Sequence, residues 1–127
     1  MRISVTLAAR ADDSCDLLCL DLPKAEAIRA SLPDAERLVA WADAAKALTD
    51  ATRLAIALSL RDGGACCVCD LAWIVGRPEK LVSHHLRLLK AAGAATSRRD
   101  GRMVMYELAP AGHALVDGLL RAAGEVV

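Results

Sequence analysis

Between Pro23 and Ala92 the apolar positions return every three or four residues, the interval that lines one face of a helix. A first helix is expected over Pro23 to Leu32, since Asp21 can cap it and proline is tolerated in a first turn. Pro33 starts a second, to about Leu48, with Leu38, Trp41, Ala42, Ala45 and Leu48 on one face. Thr49-Asp50-Ala51-Thr52-Arg53-Leu54 opens a third, which buries Leu54, Ile56, Leu58 and Leu60 and stops at Asp62-Gly63-Gly64. A fourth, Cys69 to Val75, and a fifth, Pro78 to Ala92, are parted by Gly76-Arg77-Pro78, and Gly93 closes the fifth. Two helices joined by so short a turn, the second of them basic, read as a helix-turn-helix.

After Gly93 the rhythm changes. Residues 95–99 and 102–108 flank Asp100-Gly101 and read as a two-stranded hairpin, its turn at that dipeptide because glycine accepts positive φ. With Arg98, Arg99 and Arg102 on it, the hairpin has the character of a wing. A last helix runs from Pro110 to Val126, with Leu115, Leu119 and Ala122 on one face. The fold class is mainly α with a small β-hairpin wing. Residues 1–22 are expected to form an N-terminal arm, and 23–127 a winged helix-turn-helix domain for DNA binding.

Composition narrows the picture. The chain has 127 residues, enough for a core without cross-links, and 55% are hydrophobic although Phe is absent, Tyr occurs once and Trp twice. The core must therefore be built from Ala, Leu and Val, with Trp41 and Trp73 expected inside it. No uncharged run approaches the roughly 20 residues that span a bilayer, so the chain is expected to be soluble. Met1 to Ala9 carries one basic residue and an apolar stretch at the lower limit for a secretory leader. Five cysteines, an odd number with adjacent thiols, suit the reducing cytoplasm better than a disulfide framework. Net charge is zero, which alone would argue against a nucleic-acid partner. Its distribution does not: residues 77–102 hold seven basic side chains against two acidic ones, on the segment with the helix-turn-helix pattern.

Four cysteines form two chelating pairs. Cys15 and Cys19, among Asp12, Asp13 and Asp16, are four apart and would meet on a helix. Cys67 and Cys69 are two apart and would point to one side of an extended segment. Four thiolates close a tetrahedral site for a soft or borderline ion and leave Mg, Ca and Mn disfavoured. Cys66 is expected to be structural, and the usual Cys-x-x-Cys spacing of a redox dithiol is absent. His84 and His85 are adjacent, so on a helix they point about 100° apart and cannot share an ion. One should face DNA and the other the scaffold. His113 reads as a surface or capping residue. A nucleotide-binding glycine loop or a nucleophile paired with a base is missing, so an enzyme is not expected.

From Thr49 to Leu108 the chain resembles the ArsR/SmtB family of winged-helix metal-sensing repressors. The matching stretches are Asp50-Ala51-Thr52-Arg53-Leu54, Cys67-Val68-Cys69-Asp70-Leu71, Ser83-His84-His85-Leu86-Arg87-Leu88-Leu89, Asp100-Gly101-Arg102 and Tyr106-Glu107-Leu108. The resemblance implies a homodimer that binds an operator when metal-free. It implies Ser83, His84 and Arg87 as readers of the major groove, Lys80 near phosphate, and Arg98, Arg99 and Arg102 on backbone or minor groove. The family's arsenic/antimony sensors continue the cysteine run to Cys-Val-Cys-Asp-Leu-Cys, where this chain has Ala72. Its cadmium/lead sensors add a Cys-x-x-x-Cys pair from an N-terminal arm, matched by Cys15 and Cys19. The resemblance thus favours Cd(II) or Pb(II), with Zn(II) a further candidate, at a site shared between protomers. An arsenic/antimony sensor and a thiol-oxidation sensor stay open as alternatives. The family's other metal site needs donors where this chain has Pro110, Gly112, Ala123 and Val126, and is expected to be absent.

Overall fold

In a computed structural model that describes residues 14–125, the chain divides into two compact units, Met1–Pro33 and Asp34–Val127. The reading of Met1 to Ala9 as a possible leader, with Asp12 and Asp13, lies outside the described residues, as does Val126. In the first unit, helix α1 (Leu22–Ser31) starts where expected. The Asp21 carboxylate accepts from the Lys24 amide at 3.2 Å and fixes the first turn, and no residue of α1 is buried.

The second unit opens with α2 (Ala35–Lys46), two residues later than the proline suggested. Asp34 is its cap, accepting from the Arg37 amide at 2.9 Å, so Pro33 stands outside the helix. Then come α3 (Ala51–Gly63), β1 (Cys66–Cys67), α4 (Val68–Val75), α5 (Glu79–Ala91), β2 (Ala95–Asp100), β3 (Met103–Leu108) and α6 (Pro110–Ala122). Ile56 and Leu60 of α3, Leu71 of α4, Val82, Leu86 and Leu89 of α5 and Val116 of α6 meet in one core. Leu54 and Leu58 are half-buried at its edge.

Neither tryptophan belongs to that core. Trp41 is 54% exposed with the Arg37 guanidinium 5.2 Å from its ring centre, and Trp73 is 86% exposed. No residue of α2 between Ala35 and Lys46 is buried. Helical spacing identifies an apolar face without saying that the same chain covers it, which is why Trp41 misled.

The sheet also differs from a plain hairpin. Cys66–Cys67 adds a third strand, giving the antiparallel order β1-β3-β2. Cys66 pairs with Tyr106 and Cys67 with Met105, while across β3 Ser97 pairs with Tyr106 and Arg98 with Met105. The thiol segment, β3 and the wing strand therefore share rungs. The hairpin turn is Gly101-Arg102, one residue beyond the expected place, because Asp100 still pairs with Met103. Gly101 supplies the positive φ of 65° at its first central position.

Candidate metal centre and nucleic-acid interface

Cys15 and Cys19 converge, although not on a helix. The cap at Asp21 sets the start of α1, so residues 14–20 are bends and irregular chain. Their Sγ atoms nonetheless stand 3.0 Å apart, both residues exposed. The contact with Cys19, and secondarily desolvation, pushes the Cys15 thiol above its ordinary range.

The second pair also departs from the expected extended segment. Strand β1 ends at Cys67, which becomes the N-cap residue of α4 at φ −87° and ψ 168°, and Cys69 sits in the first helical turn. The pair spans a strand-to-helix corner, with Cys67 half-buried and Cys69 exposed. The carboxylate of Glu79, at the start of α5, is the main cause that raises Cys69, followed by desolvation and the Cys67 thiol. Glu79 was not anticipated, because ten residues and a turn separate it from Cys69 in sequence. Cys66, by strand alternation, points away from Cys67 and packs against the core, where burial pushes its thiol up.

Among the described residues, no three His, Cys, Asp or Glu side chains gather closely enough to hold an ion. What exists is two soft-donor pairs in separate units, Cys15 and Cys19 with their sulfurs 3.0 Å apart, and Cys67 and Cys69 two positions apart at a strand-to-helix corner. Two such pairs fit a thiolate-bound ion; one pair alone does not complete a tetrahedral shell.

The reading helix α5 divides its histidines as expected. His84 is exposed, and His85 is 7% exposed. His85 Nδ1 lies 3.2 Å from the Arg53 NH1 group and Nε2 lies 3.6 Å from Asp50 Oδ2. An arginine nitrogen only donates, so Nδ1 accepts and the ring is neutral with its proton on Nε2, towards Asp50. Burial pushes His85 below the usual histidine range, with the Arg53 charge acting in the same direction and Asp50 opposing. Asp50 also caps α3, accepting from the Arg53 amide at 2.9 Å, and that bond lowers its own carboxyl. Arg53 Nε donates to the Ala47 carbonyl oxygen. The start of α3 is thereby pinned to the middle of α5, a tie invisible in sequence because the groups are 32 positions apart.

On the outer face of α5, Lys80, His84 and Arg87 are exposed and Ser83 is half-buried. Arg98, Arg99 and Arg102 are exposed on the wing, with Arg98 4.0 Å from Asp100. Lys90 Nζ donates to Ser97 Oγ at 2.7 Å and so fastens the end of α5 to β2. At the start of α6, Pro110 occupies the first turn and Gly112 packs its backbone on α5's exit. A Cβ at 112 would come 2.2 Å from the Ala94 carbonyl oxygen, so no metal-binding side chain fits there.

An exposed basic helix set in a short-turn helix pair, flanked by a three-arginine hairpin, defines a DNA-binding winged helix-turn-helix transcription regulator, not an enzyme. Residues 50–97 match the family described as bacterial regulatory protein, arsR family. The chain belongs to that ArsR family. It is 38% identical over 97 residues to the HTH-type transcriptional repressor SmtB of Mycobacterium tuberculosis, covering 75% of this chain and 71% of that one. It is 49% identical over 63 residues to a cadmium resistance transcriptional regulatory protein CadC homolog of Staphylococcus aureus. That match takes in 50% of this chain but spans only about half, 52%, of the relative. Among solved structures, the homodimeric winged helix-turn-helix domain of Mb0332 from Mycobacterium bovis superposes with a TM-score of 0.64 at 28% identity, covering 76% of this chain and 90% of that one.

Proposed function

We propose that the protein is a homodimeric repressor that holds its operator when metal-free and releases it when Cd(II), Pb(II) or Zn(II) binds four cysteine thiolates. The observation that carries this reading is the convergence of Cys15 and Cys19 at 3.0 Å, with Cys67 and Cys69 at the corner of β1 and α4 as the second pair. Each site joins Cys15 and Cys19 of one protomer to Cys67 and Cys69 of the partner subunit. Likeness to a cadmium-resistance regulator and to SmtB supports a metal effector. The apolar faces left open on α2, with Leu38, Val39 and Trp41, and on α6, with Leu119, supply the dimer interface. The protein acts in the cytoplasm; no described helix is long and apolar enough to cross a membrane.

Bound metal supplies a charge and a fixed geometry at the corner where α4 begins. The chain's own residues carry the rest. Cys69 lies in the first turn of α4 on which the reading helix rests, and Cys67 is hydrogen-bonded into the sheet that bears the wing. Lys80, Ser83, His84 and Arg87 meet the major groove, and Arg98, Arg99 and Arg102 meet backbone or minor groove. Linkage requires the operator to weaken metal binding by the same factor that metal weakens the operator, typically about 1 to 3 kcal/mol.

The arsenic alternative is weaker here because Ala72, at the position of the third thiol in that pattern, is buried and offers no donor. The test is operator binding in reductant, with and without Cd(II), Pb(II), Zn(II) and arsenite. Release by Cd(II) and Pb(II) at low concentration supports the reading. Arsenite acting as the strongest inducer moves the protein to the arsenic branch, and release by peroxide alone moves it to thiol-oxidation sensing.

A further inference from the structure

The Cys15–Cys19 geometry has a second chemistry besides chelation. Two exposed Sγ atoms 3.0 Å apart need to close by only about 1 Å to reach the ~2.0 Å of a disulfide bond. The three residues between them, Asp16, Leu17 and Leu18, lie outside any helix, so no helix has to break for the sulfurs to approach. The other cysteines are placed differently. Cys66 is half-buried and turned into the core, and Cys67 is held in β1 and as the cap of α4, so its approach to Cys69 is limited by both elements.

We propose that Cys15 and Cys19 form a reversible oxidation site at which a hydroperoxide closes an intrachain disulfide, and that this bond makes the repressor blind to metal while it stays on its operator. The metal consequence rests on the four-thiolate reading above; the disulfide itself does not. The step balances in two stages. One thiol attacks the peroxide O–O bond, giving a sulfenic acid and releasing the alcohol, or water from hydrogen peroxide. The second thiol then displaces hydroxide from that sulfur, forming the S–S bond and releasing water. The two sulfurs lose two electrons and two protons, and the peroxide is reduced by the same two electrons. A dithiol reductant reverses the bond by exchange.

Oxidation and metal loading compete for the same sulfur lone pairs. An arm with its sulfurs bonded to each other offers no thiolate, and Cys67 with Cys69 is left as a two-donor remnant. Lys80, Ser83, Arg87 and the wing arginines all belong to the other unit.

The test uses the full chain, reduced and metal-free, treated with stoichiometric hydrogen peroxide, alkylated and digested with trypsin. Cys15 and Cys19 fall in one fragment, residues 11–24, so their bond reads as a fragment lighter by two hydrogens that takes no alkyl group and regains both sites after dithiothreitol. Cys15→Ser and Cys19→Ser should each abolish the signature. Preloaded Cd(II) should slow its appearance, and the oxidised protein should keep its operator affinity while needing at least tenfold more Cd(II) for release, since losing even a group that only hydrogen-bonds to a metal ligand costs about 10- to 100-fold in metal affinity. A Cys67–Cys69 bond, interchain bonds or sulfinic acid as the main product would overturn the proposal. So would operator release by peroxide. If the reduced protein binds no Cd(II) but the mapped bond still forms, the metal reading fails and the oxidation site stands.

Discussion

Gly112→Ala and Gly118→Ala add the same methyl group to the same helix, and the structure gives them opposite signs. At Gly118 the new Cβ meets nothing within 4 Å, and φ there is not positive, so the change should gain helix propensity of up to about 1 kcal/mol. At Gly112 the Cβ would stand 2.2 Å from the Ala94 carbonyl oxygen, 3.0 Å from Leu108 Cδ2 and 3.1 Å from the Ala94 carbonyl carbon. Two of those atoms are backbone and cannot rotate aside, so α6 must move away by about 1 Å to restore van der Waals separation. Overpacking of this kind costs about 1 to 3 kcal/mol. The 2.9 Å bond from the Ala109 amide to the same Ala94 oxygen is strained as well, at a net worth of about 0.5 to 1.5 kcal/mol. Against these stands the same propensity gain, leaving about 1 to 3 kcal/mol of destabilisation. For a domain of this size that is a fall in Tm of roughly 4 to 12 °C. Differential scanning calorimetry of both variants at one protein concentration checks the pair. A Gly112→Ala protein as stable as its Gly118→Ala counterpart would refute the close approach of α6 to Ala94.

Cys69→Ser should keep apo-like operator affinity and lose release by Cd(II), read by fluorescence anisotropy on labelled operator; Cys66→Ser should leave the ultraviolet thiolate-to-metal absorption intact, and its loss there but not in Cys67→Ser would overturn the ligand assignment. Arg87→Ala should weaken operator binding by about 1 to 3 kcal/mol and relax sequence preference, whereas Arg98→Ala should weaken all duplexes alike and lower the salt slope by about one phosphate contact. An affinity insensitive to salt would remove the electrostatic argument. Because His85 is held below its ordinary value, the unfolded chain binds a proton at a higher pH than the folded one. Stability should therefore be full above about pH 6.5 and fall as the pH drops through that value towards the folded pKa. Asp50 and Asp117, both lowered by hydrogen bonds to Arg53 and Arg61, add a second loss below about pH 4. His85→Gln should flatten the first limb in urea titrations at pH 7 and pH 5, and a slope unchanged by that substitution would count against the buried neutral imidazole.

The helix-turn-helix was legible because its signals are local: Asp50 and Pro78 mark starts, Gly76 and Gly93 mark ends, and the spacing of Val82, Leu86 and Leu89 shows one buried face. The division between His84 and His85 followed from helical geometry alone. Strand β1 was not legible, since two cysteines carry no alternation and their partner, β3, lies some 40 positions further on. Trp41 and Trp73 were misplaced because an apolar face is a demand for a cover, and the sequence does not say which molecule meets it. The thiol pairs were proposed from spacing alone, and both local conformations differ from the expected ones: Cys15 and Cys19 meet off a helix, and Cys67 and Cys69 stand at a strand-to-helix corner. Glu79 beside Cys69 and Lys90 on Ser97 depend on tertiary packing and have no signature in sequence.

The rung that joins Cys67 to Met105 and Met105 to Arg98 puts the thiol segment and an exposed wing arginine on the two sides of a single strand, their backbones about 10 Å apart. Strand β3 therefore works as a ruler read from both edges. Its side chains alternate with a period of two, so one residue inserted within Met103–Leu108 must reverse its facing against β1, against β2, or against both. Extra residues at the Gly101-Arg102 tip leave β3 in place, lengthening the wing while Cys67 stays in step with Arg98. For anyone grafting a new DNA preference onto this scaffold, the tip is the part that can be rewritten freely, and the strand behind it has to be kept in length and phase.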